Sequence, residues 1–195
     1  MGLFDLFMKK EPADATLPKT EEEKWVTYTY AMWSEAAQGD WHYIAGSACL
    51  SKQEGASMRT MLRRDWGVSN RAQLLDMVSY LTSFYKQGTE CEAEDIEKGA
   101  WDLCRACQIL GMGYVGGWIS REEMFEHSYI VGCVMQRYYR SWIELYESYL
   151  KGYRAWRVEC GGDDVQKMIA DREELCNKLL ALIDGPRSLD WNLPL

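Results

Sequence analysis

The sequence predicts a single all-α domain of about seven helices with an aromatic-rich core. Apolar residues recur at helical spacing, capping residues precede several of these segments, and glycines follow them. Agreement among such independent local signals is typical of a chain that specifies one fold. The domain is predicted to cover residues 21–185. An amphipathic segment and linker occupy 1–20, and a C-terminal tail occupies 186–195.

The N-terminal half is predicted to contain three of the helices. Aromatic and apolar side chains lie about one turn apart in the first, at 21–38. The second covers 51–66 and stops at Gly67, a residue that readily takes the left-handed conformation of a helix C-terminus. The third begins at Asn70, which with the following glutamine resembles a reciprocal cap. The stretch 41–45 is compatible with either a helix or a strand.

The C-terminal half is predicted to contain four more helices, each bounded by caps, acidic first turns or glycines. The first begins in the acidic run 90–97 and ends near Gly111, and the second runs from the capping box at Ser120 and Glu123 to Arg140. The third covers 141–158, and the fourth extends from Asp163 or Asp164 to Ile183. The middle of the second of these is apolar on all sides, so it is predicted to be buried.

Composition and charge exclude several classes of protein. The chain of 195 residues is 47% apolar and 27% charged, values that are typical of globular domains and not of disordered chains. Its net charge of −8 would repel phosphate backbones, so nucleic acid is not expected as a partner, whereas a basic protein is allowed. No apolar run approaches the ~18 residues that a membrane-spanning helix needs.

The seven cysteines and the N-terminus bear on localisation. An odd number of cysteines, and a start that does not resemble a secretory signal, favour reduced thiols and a cytoplasmic protein. The first ten residues form a small amphipathic piece that could either touch a membrane surface or pack back on the domain. Because ten residues bind a membrane weakly, no stable membrane anchoring is expected.

The glycines at 111, 113 and 116 spell the G-x-G-x-x-G pattern of dinucleotide-binding proteins. That pattern binds a pyrophosphate when it directly follows a strand and opens a helix. Here it follows a predicted helix, and the next helix begins only after Ser120. A chance match in a helix-ending loop is therefore the preferred interpretation, and no cofactor is predicted.

Cys104 and Cys107 form a C-x-x-C pair that allows two interpretations. Together with His127 and Cys133 they could supply four zinc ligands. However, a zinc knuckle normally needs a second pair, and a redox pair needs a preceding strand, so buried structural thiols are favoured. The two histidines, His42 and His127, fit no catalytic motif, and no catalytic or metal-binding residue is assigned.

Asp102 and Arg105 lie three residues apart on a helix that should face the core. Charges in such a place are costly unless they are paired. One interpretation is an ion pair on the helix surface. The other is a polar group that faces an internal cleft, together with Arg140 or Glu144.

Three sequence blocks resemble a known family: 62–75 (LRRDWGVSNRAQLL), 100–119 (AWDLCRACQILGMGYVGGWI) and 139–156 (YRSWIELYESYLKGYRAW). Their order and spacing resemble those of a bacterial family catalogued as domain of unknown function 1266. The resemblance spans roughly half of the chain, from residue 60 to 157. It implies an α-helical bacterial domain, and it brings no agreed activity and no catalytic residues.

The leading functional hypothesis is a non-enzymatic protein-binding module. The sequence contains no recognised catalytic motif or cofactor fingerprint, and the acidic chain suits capture of a basic protein, as an immunity-type inhibitor captures a toxin. The partner-binding candidates are the acids of the run 90–97: Glu90, Glu92, Glu94, Asp95 and Glu97.

The alternative hypothesis, from a different class, is an enzyme or small-ligand binder with a cleft around Asp102 and Arg105. The other cleft candidates are Glu122 and Tyr149, with Trp66, Trp118 and Trp142 as walls. An open pocket that contains the pair would favour a ligand, and a sealed pair would favour a structural role. If the pair is buried and structural, Asp102→Asn is expected to destabilise the fold by about 3–5 kcal/mol.

Overall fold

A computed structural model of the chain describes residues 15–86 and 93–195. It confirms the all-α prediction: the described residues form eight α-helices and two short 3-10 turns, with no strand. The helices are α1 (Glu21–Tyr28), α2 (Ala31–Ala36), α3 (Lys52–Trp66), α4 (Arg71–Lys86), α5 (Ala93–Val115), α6 (Arg121–Tyr138), α7 (Trp142–Cys160) and α8 (Val165–Ala181). The predicted amphipathic segment at the N-terminus lies outside the described residues.

Helix α5 is the centre of the fold. It packs against α3, α4, α6 and α7, and α8 closes the bundle by packing on α7 and α2. Buried side chains lie all around its middle, among them Leu103, Gln108 and Ile109, because neighbouring helices cover it on several sides. No helix of the described residues is long and apolar enough to cross a bilayer.

Serine caps begin three of the helices, and the one at Ser120 confirms the predicted capping box. The hydroxyls of Ser51, Ser120 and Ser141 accept hydrogen bonds from the backbone N–H three residues later, at 3.0, 3.1 and 3.2 Å. Each bond satisfies an N–H that has no partner within its helix. Gly67 ends α3 in the left-handed conformation, with φ of 65°. These boundaries depend on bonds that span only a few residues.

The first predicted helix is in fact two helices. The chain leaves the helical conformation at Tyr30, so α1 and α2 are separated by Thr29 and Tyr30. The Thr29 hydroxyl bonds back to the Val26 carbonyl at 2.7 Å, a local bond that competes with helix continuation. The stretch 41–45, which was compatible with helix or strand, leads into a 3-10 turn at Ile44–Gly46.

Gly111 does not end the fifth helix, which continues to Val115. A methyl group at Gly111 would lie 3.1 Å from the Tyr30 hydroxyl, and one at Gly113 would collide with Leu74. These glycines therefore permit close packing rather than a turn. The chain turns instead at Gly117, where φ is 75°. The G-x-G-x-x-G pattern consequently lies in the C-terminal part of α5 and the turn that follows.

The tryptophans are divided between the interior of the core and its edge. Trp142 is buried, with Trp25 and Trp191 at ring distances of 4.9 and 5.2 Å, and these three indoles form one cluster. Trp191 belongs to the predicted tail, yet its indole N–H donates to the Tyr139 carbonyl at 2.9 Å. Other tryptophans pack against the core but keep exposed surface, among them Trp66, Trp101 and Trp118.

Candidate functional site

A cleft with a volume of about 540 Å³ opens between α3, α5, α7 and α8, with α2 at one edge. The α5 side chains that line it are Trp101, Arg105, Gln108 and Met112, which share one helix face because they are spaced by four, three and four residues. The cleft is lined by Trp33, Ala37, Met61, Arg64, Asp65, Trp66, Trp101, Arg105, Gln108, Met112, Tyr149, Tyr153, Trp156, Arg157, Met168 and Arg172.

The cleft runs from an exposed mouth to a buried floor. Arg64, Trp156 and Met168 are solvent-exposed, whereas Gln108 and Tyr149 are buried. A concave, mostly apolar space with a few polar side chains is the usual form of a small-molecule site. The cleft is therefore a candidate site that opens to solvent.

Arg105 extends along one wall of the cleft between two indole rings. Its guanidinium carbon lies 4.5 Å from the centre of the Trp66 ring and 4.7 Å from that of Trp101. Its Nη1 donates to Asp102 Oδ1 at 3.0 Å. The side chain of Arg105 is 22% exposed and that of Asp102 is 42% exposed, so the pair is neither sealed nor fully solvated. A planar guanidinium stacked on aromatic rings is held in one orientation.

Burial disfavours the charged form of both partners in this pair. It raises the pKa of the Asp102 carboxyl above its ordinary value, although Arg105 acts in the opposite direction. It also lowers the pKa of the Arg105 guanidinium, although Asp102 opposes that change. The attraction between the two charges is therefore smaller than the free energy that is lost when they are removed from water. A residue in a cleft whose pKa is shifted by burial and by a charge partner is a candidate for a functional site.

Asp102→Asn is expected to change the free energy of unfolding by less than about 1 kcal/mol, because the pair is partly exposed and three residues apart. This value replaces the destabilisation of about 3–5 kcal/mol that is expected if the pair is sealed from solvent. Since the folded state raises the pKa of Asp102, its ionisation costs stability as the pH rises through that pKa. In thermal melts between about pH 4 and pH 7, the melting temperature of the variant should therefore rise relative to that of the wild type as the pH rises. A loss of several kcal/mol at neutral pH would contradict this expectation.

Arg172 and Tyr149 form a second polar group, between α7 and α8. The Arg172 guanidinium donates to the Tyr149 hydroxyl and lies 4.6 Å from the centre of the Tyr153 ring. Burial raises the pKa of the Tyr149 hydroxyl despite the nearby Arg172. The hydroxyl is therefore protonated at neutral pH, so it carries no negative charge that would oppose an anion beside Arg172.

Arg157 is the least satisfied of the cleft arginines. Its Nη2 lies 2.6 Å from the Met168 sulfur, which is a weak acceptor, and its Nε is buried with no hydrogen-bond partner among the described residues. Within that part of the chain, neither Arg157 nor Arg172 has a carboxylate within salt-bridge distance. Two guanidinium groups therefore face the cleft without an opposite charge.

The charge of the cleft is opposite to that of the whole chain. Four arginines and one aspartate line it, and Asp102 adds a carboxylate beside Arg105, so an excess of two positive charges remains. The aspartate, Asp65, is paired with Arg64 at 2.5 Å, which lowers the pKa of its carboxyl. In a protein of net charge −8, such a local excess attracts anions.

The predicted cleft residues are only partly brought together. Arg105, Tyr149 and Trp66 line the cleft, and Asp102 contacts it through Arg105. The remaining candidates are not among the lining residues: Glu122 is exposed in the first turn of α6, Trp118 lies in the turn before it, and Trp142 belongs to the buried indole cluster. The alternative neighbours do not line the cleft either: the Glu144 carboxylate accepts a hydrogen bond from the backbone N–H of Arg140 at the start of α7, at 2.8 Å.

The acidic run is only partly described. Glu90 and Glu92 lie outside the described residues, as does the side chain of Glu94. Asp95 is exposed near the start of α5, and Glu97 pairs with Lys151 at 2.7 Å. The interaction of this run with a basic partner protein stays a prediction.

Several cleft residues were missed by the sequence analysis, above all Gln108, Arg157 and Arg172. The signal that could have revealed them is the helical spacing of aromatic and arginine side chains, such as Trp101 with Arg105. That spacing defines a face of each helix. It does not show that the faces of α3, α5, α7 and α8 meet around a space.

The C-x-x-C cysteines lie inside the bundle. Cys104 and Cys107 are buried, together with Cys176 of α8. Burial raises the pKa of the Cys104 thiol well above its ordinary value, and that of Cys107 to about 12, so both are protonated. No group of three or more potential metal ligands among His, Cys, Asp and Glu occurs in the described part of the chain.

The chain matches the model of the family described as "Protein of unknown function (DUF1266)" over residues 84–192, more than half of its length. It belongs to this family. The match includes the cleft residues of α5, α7 and α8, whereas α3, with the first resembling block at 62–75, lies before it. Comparisons with curated proteins and with solved structures found no match.

Proposed function

We propose that this protein binds a small anionic ligand with a planar apolar part in the cleft between α3, α5, α7 and α8. This proposal adopts the ligand-binding alternative of the sequence analysis rather than the protein-binding one. The main support for the proposal is the excess of guanidinium groups in an aromatic-lined cleft of an acidic protein.

The unpaired arginines support an anion as the ligand. A buried polar atom without a partner is rare, and the Nε of Arg157 is such an atom. A carboxylate, sulfonate or phosphate at Arg157 and Arg172 would accept charge-assisted hydrogen bonds from both guanidinium groups. The aromatic rings of Trp66, Trp101 and Trp156 supply apolar walls for the rest of the ligand.

The anionic dye 1-anilinonaphthalene-8-sulfonate tests the proposal, because it combines fused aromatic rings with a sulfonate. Its fluorescence should show saturable one-to-one binding to the folded protein. The double variant Arg157→Met/Arg172→Met should bind it about tenfold more weakly or worse, which corresponds to about 1.4 kcal/mol. The neutral analogue N-phenyl-1-naphthylamine should bind the wild type and this variant equally.

Arg154→Met is the matched control. Arg154 is exposed on α7, pairs with Glu173 of α8 and does not line the cleft, so its loss should leave the dye affinity unchanged. Thermal melts are used to check that each variant is folded. Binding that does not saturate, or equal dye affinity in the control and the double variant, would contradict the proposed function.

A further inference from the structure

We infer that the ligand of this cleft is a nucleoside phosphate, whose base is recognised by Gln108 and whose phosphate is bound by Arg157 and Arg172. This inference rests on the proposed function and specifies the class of ligand. It depends on three features of the cleft: the amide of Gln108, the aromatic wall beside it, and the arginines of α7 and α8.

The first feature is the amide of Gln108 at the floor of the cleft. Gln108 is 6% exposed, and its hydrogen bonding within the described residues is limited to a contact of 3.7 Å from Nε2 to the Met112 sulfur. A buried amide is costly unless its donors and acceptor are satisfied, and a thioether is a weak acceptor. The Gln108 amide is therefore available to a ligand.

An amide presents a donor and an acceptor side by side. This pair matches the edge of a nucleobase, as in the bidentate contact of glutamine with the N6 and N7 atoms of adenine. An aromatic carboxylate could use the same arginines and the same indole walls, but it would leave the Gln108 amide unsatisfied. The buried amide therefore favours a base over a plain aromatic ring.

The second feature is the wall beside Gln108, one turn away on α5. Trp66, Arg105 and Trp101 form a stack of planar groups, with the guanidinium 4.5 and 4.7 Å from the two rings. Aromatic and guanidinium planes are the surfaces on which proteins stack bases, at about 1–3 kcal/mol per base. Trp66, Trp101 and Gln108 all line the cleft, so a base in it would pack on an indole ring while its edge bonds to the amide.

The arginines on α7 and α8 suit the phosphate. Arg157 and Arg172 face the cleft without a carboxylate, and guanidinium groups bind phosphate oxygens with two parallel hydrogen bonds. The cleft volume of about 540 Å³ lies within the range of small-molecule sites. A ligand that satisfies both ends of this cleft needs a hydrogen-bonding ring and an anionic group on one small molecule.

Displacement of the bound dye measures this preference. Adenosine 5′-monophosphate, ribose 5-phosphate and adenosine are each titrated into the complex of the protein with 1-anilinonaphthalene-8-sulfonate. The nucleotide should displace the dye at a concentration about tenfold or more below that of either fragment, because it alone contacts the amide and the arginines together.

Gln108→Leu is the decisive variant, because leucine is similar in size and lacks hydrogen-bonding atoms. It should lower the affinity for the nucleotide about tenfold and leave the affinity for the dye unchanged. An unchanged dye affinity also shows that the variant is folded and that its cleft is intact. Arg157→Met/Arg172→Met should weaken both the nucleotide and the dye.

Each result separates this inference from the proposed function. If the dye binds through the arginines but the nucleotide does not displace it, the inference is overturned and the proposed function stands. Equal displacement by ribose 5-phosphate and the nucleotide, or an unaltered nucleotide affinity in Gln108→Leu, overturns the base recognition. If the wild type does not bind the dye, both proposals fail.

Discussion

Arg121→Met is expected to lower the free energy of unfolding by about 3–5 kcal/mol. Arg121 and Glu23 are 12% and 13% exposed, and their side chains pair at 2.5 Å. The same guanidinium donates to the carbonyls of Ala15 and Leu17 at 2.7 and 2.8 Å. Methionine would fill a similar space but would leave a buried carboxylate without its charge partner and two carbonyls without these donors.

Chemical denaturation measures this loss, and Lys151→Met is the control. Lys151 pairs with Glu97 at 2.7 Å, but both side chains are about half exposed, so its loss should cost less than about 1 kcal/mol. The double variant Arg121→Met/Glu23→Gln should recover part of the stability, because no buried charge then remains unpaired. Equal stability of the Arg121 and Lys151 variants would contradict this description of the pair.

Gly152→Ala is expected to destabilise the protein by about 1–3 kcal/mol, although alanine is the better helix former. Gly152 lies where α7 crosses α5. A methyl group there would lie 2.6 Å from the Lys98 carbonyl oxygen and would collide with the Cβ of Trp101. Both atoms belong to the backbone of α5 or are attached directly to it, so α7 would have to move away from α5.

Two measurements test this expectation. Thermal melts should show a smaller loss for Gly113→Ala, because the new methyl group there collides with the flexible end of the Leu74 side chain. Dye binding should also weaken in Gly152→Ala, since Trp101 and Tyr149 hold the cleft wall at the same helix crossing. A Gly152→Ala protein as stable as the wild type would show that the two helices can separate at little cost.

Most helix boundaries could be predicted because their causes are local. The serine hydroxyls at 51, 120 and 141 bond to N–H groups only three residues away, and the left-handed turn at Gly67 needs no distant contact. Such bonds form from neighbouring residues alone. The fold class follows from them and from the helical spacing of apolar side chains.

The errors in the predicted elements have distant causes. Gly111 lies inside α5 and admits the close approach of the Tyr30 hydroxyl, from the junction between α1 and α2 more than 80 residues earlier. A glycine pattern is the same whether the residue ends a helix or admits a close neighbour. Trp142, expected in a cleft wall, is instead buried by Trp25 and by Trp191 from the end of the chain.

The candidate site shows the same division between local and distant causes. Asp102 and Arg105 could be singled out because charges at that spacing on a core helix are unusual. The excess of arginines in the cleft arises only when α8 brings Arg172 against Tyr149, which lies 23 residues earlier on α7. Local hydrogen bonds and periodicity determine the helices, whereas the space enclosed by their faces depends on packing between residues that are far apart in the chain.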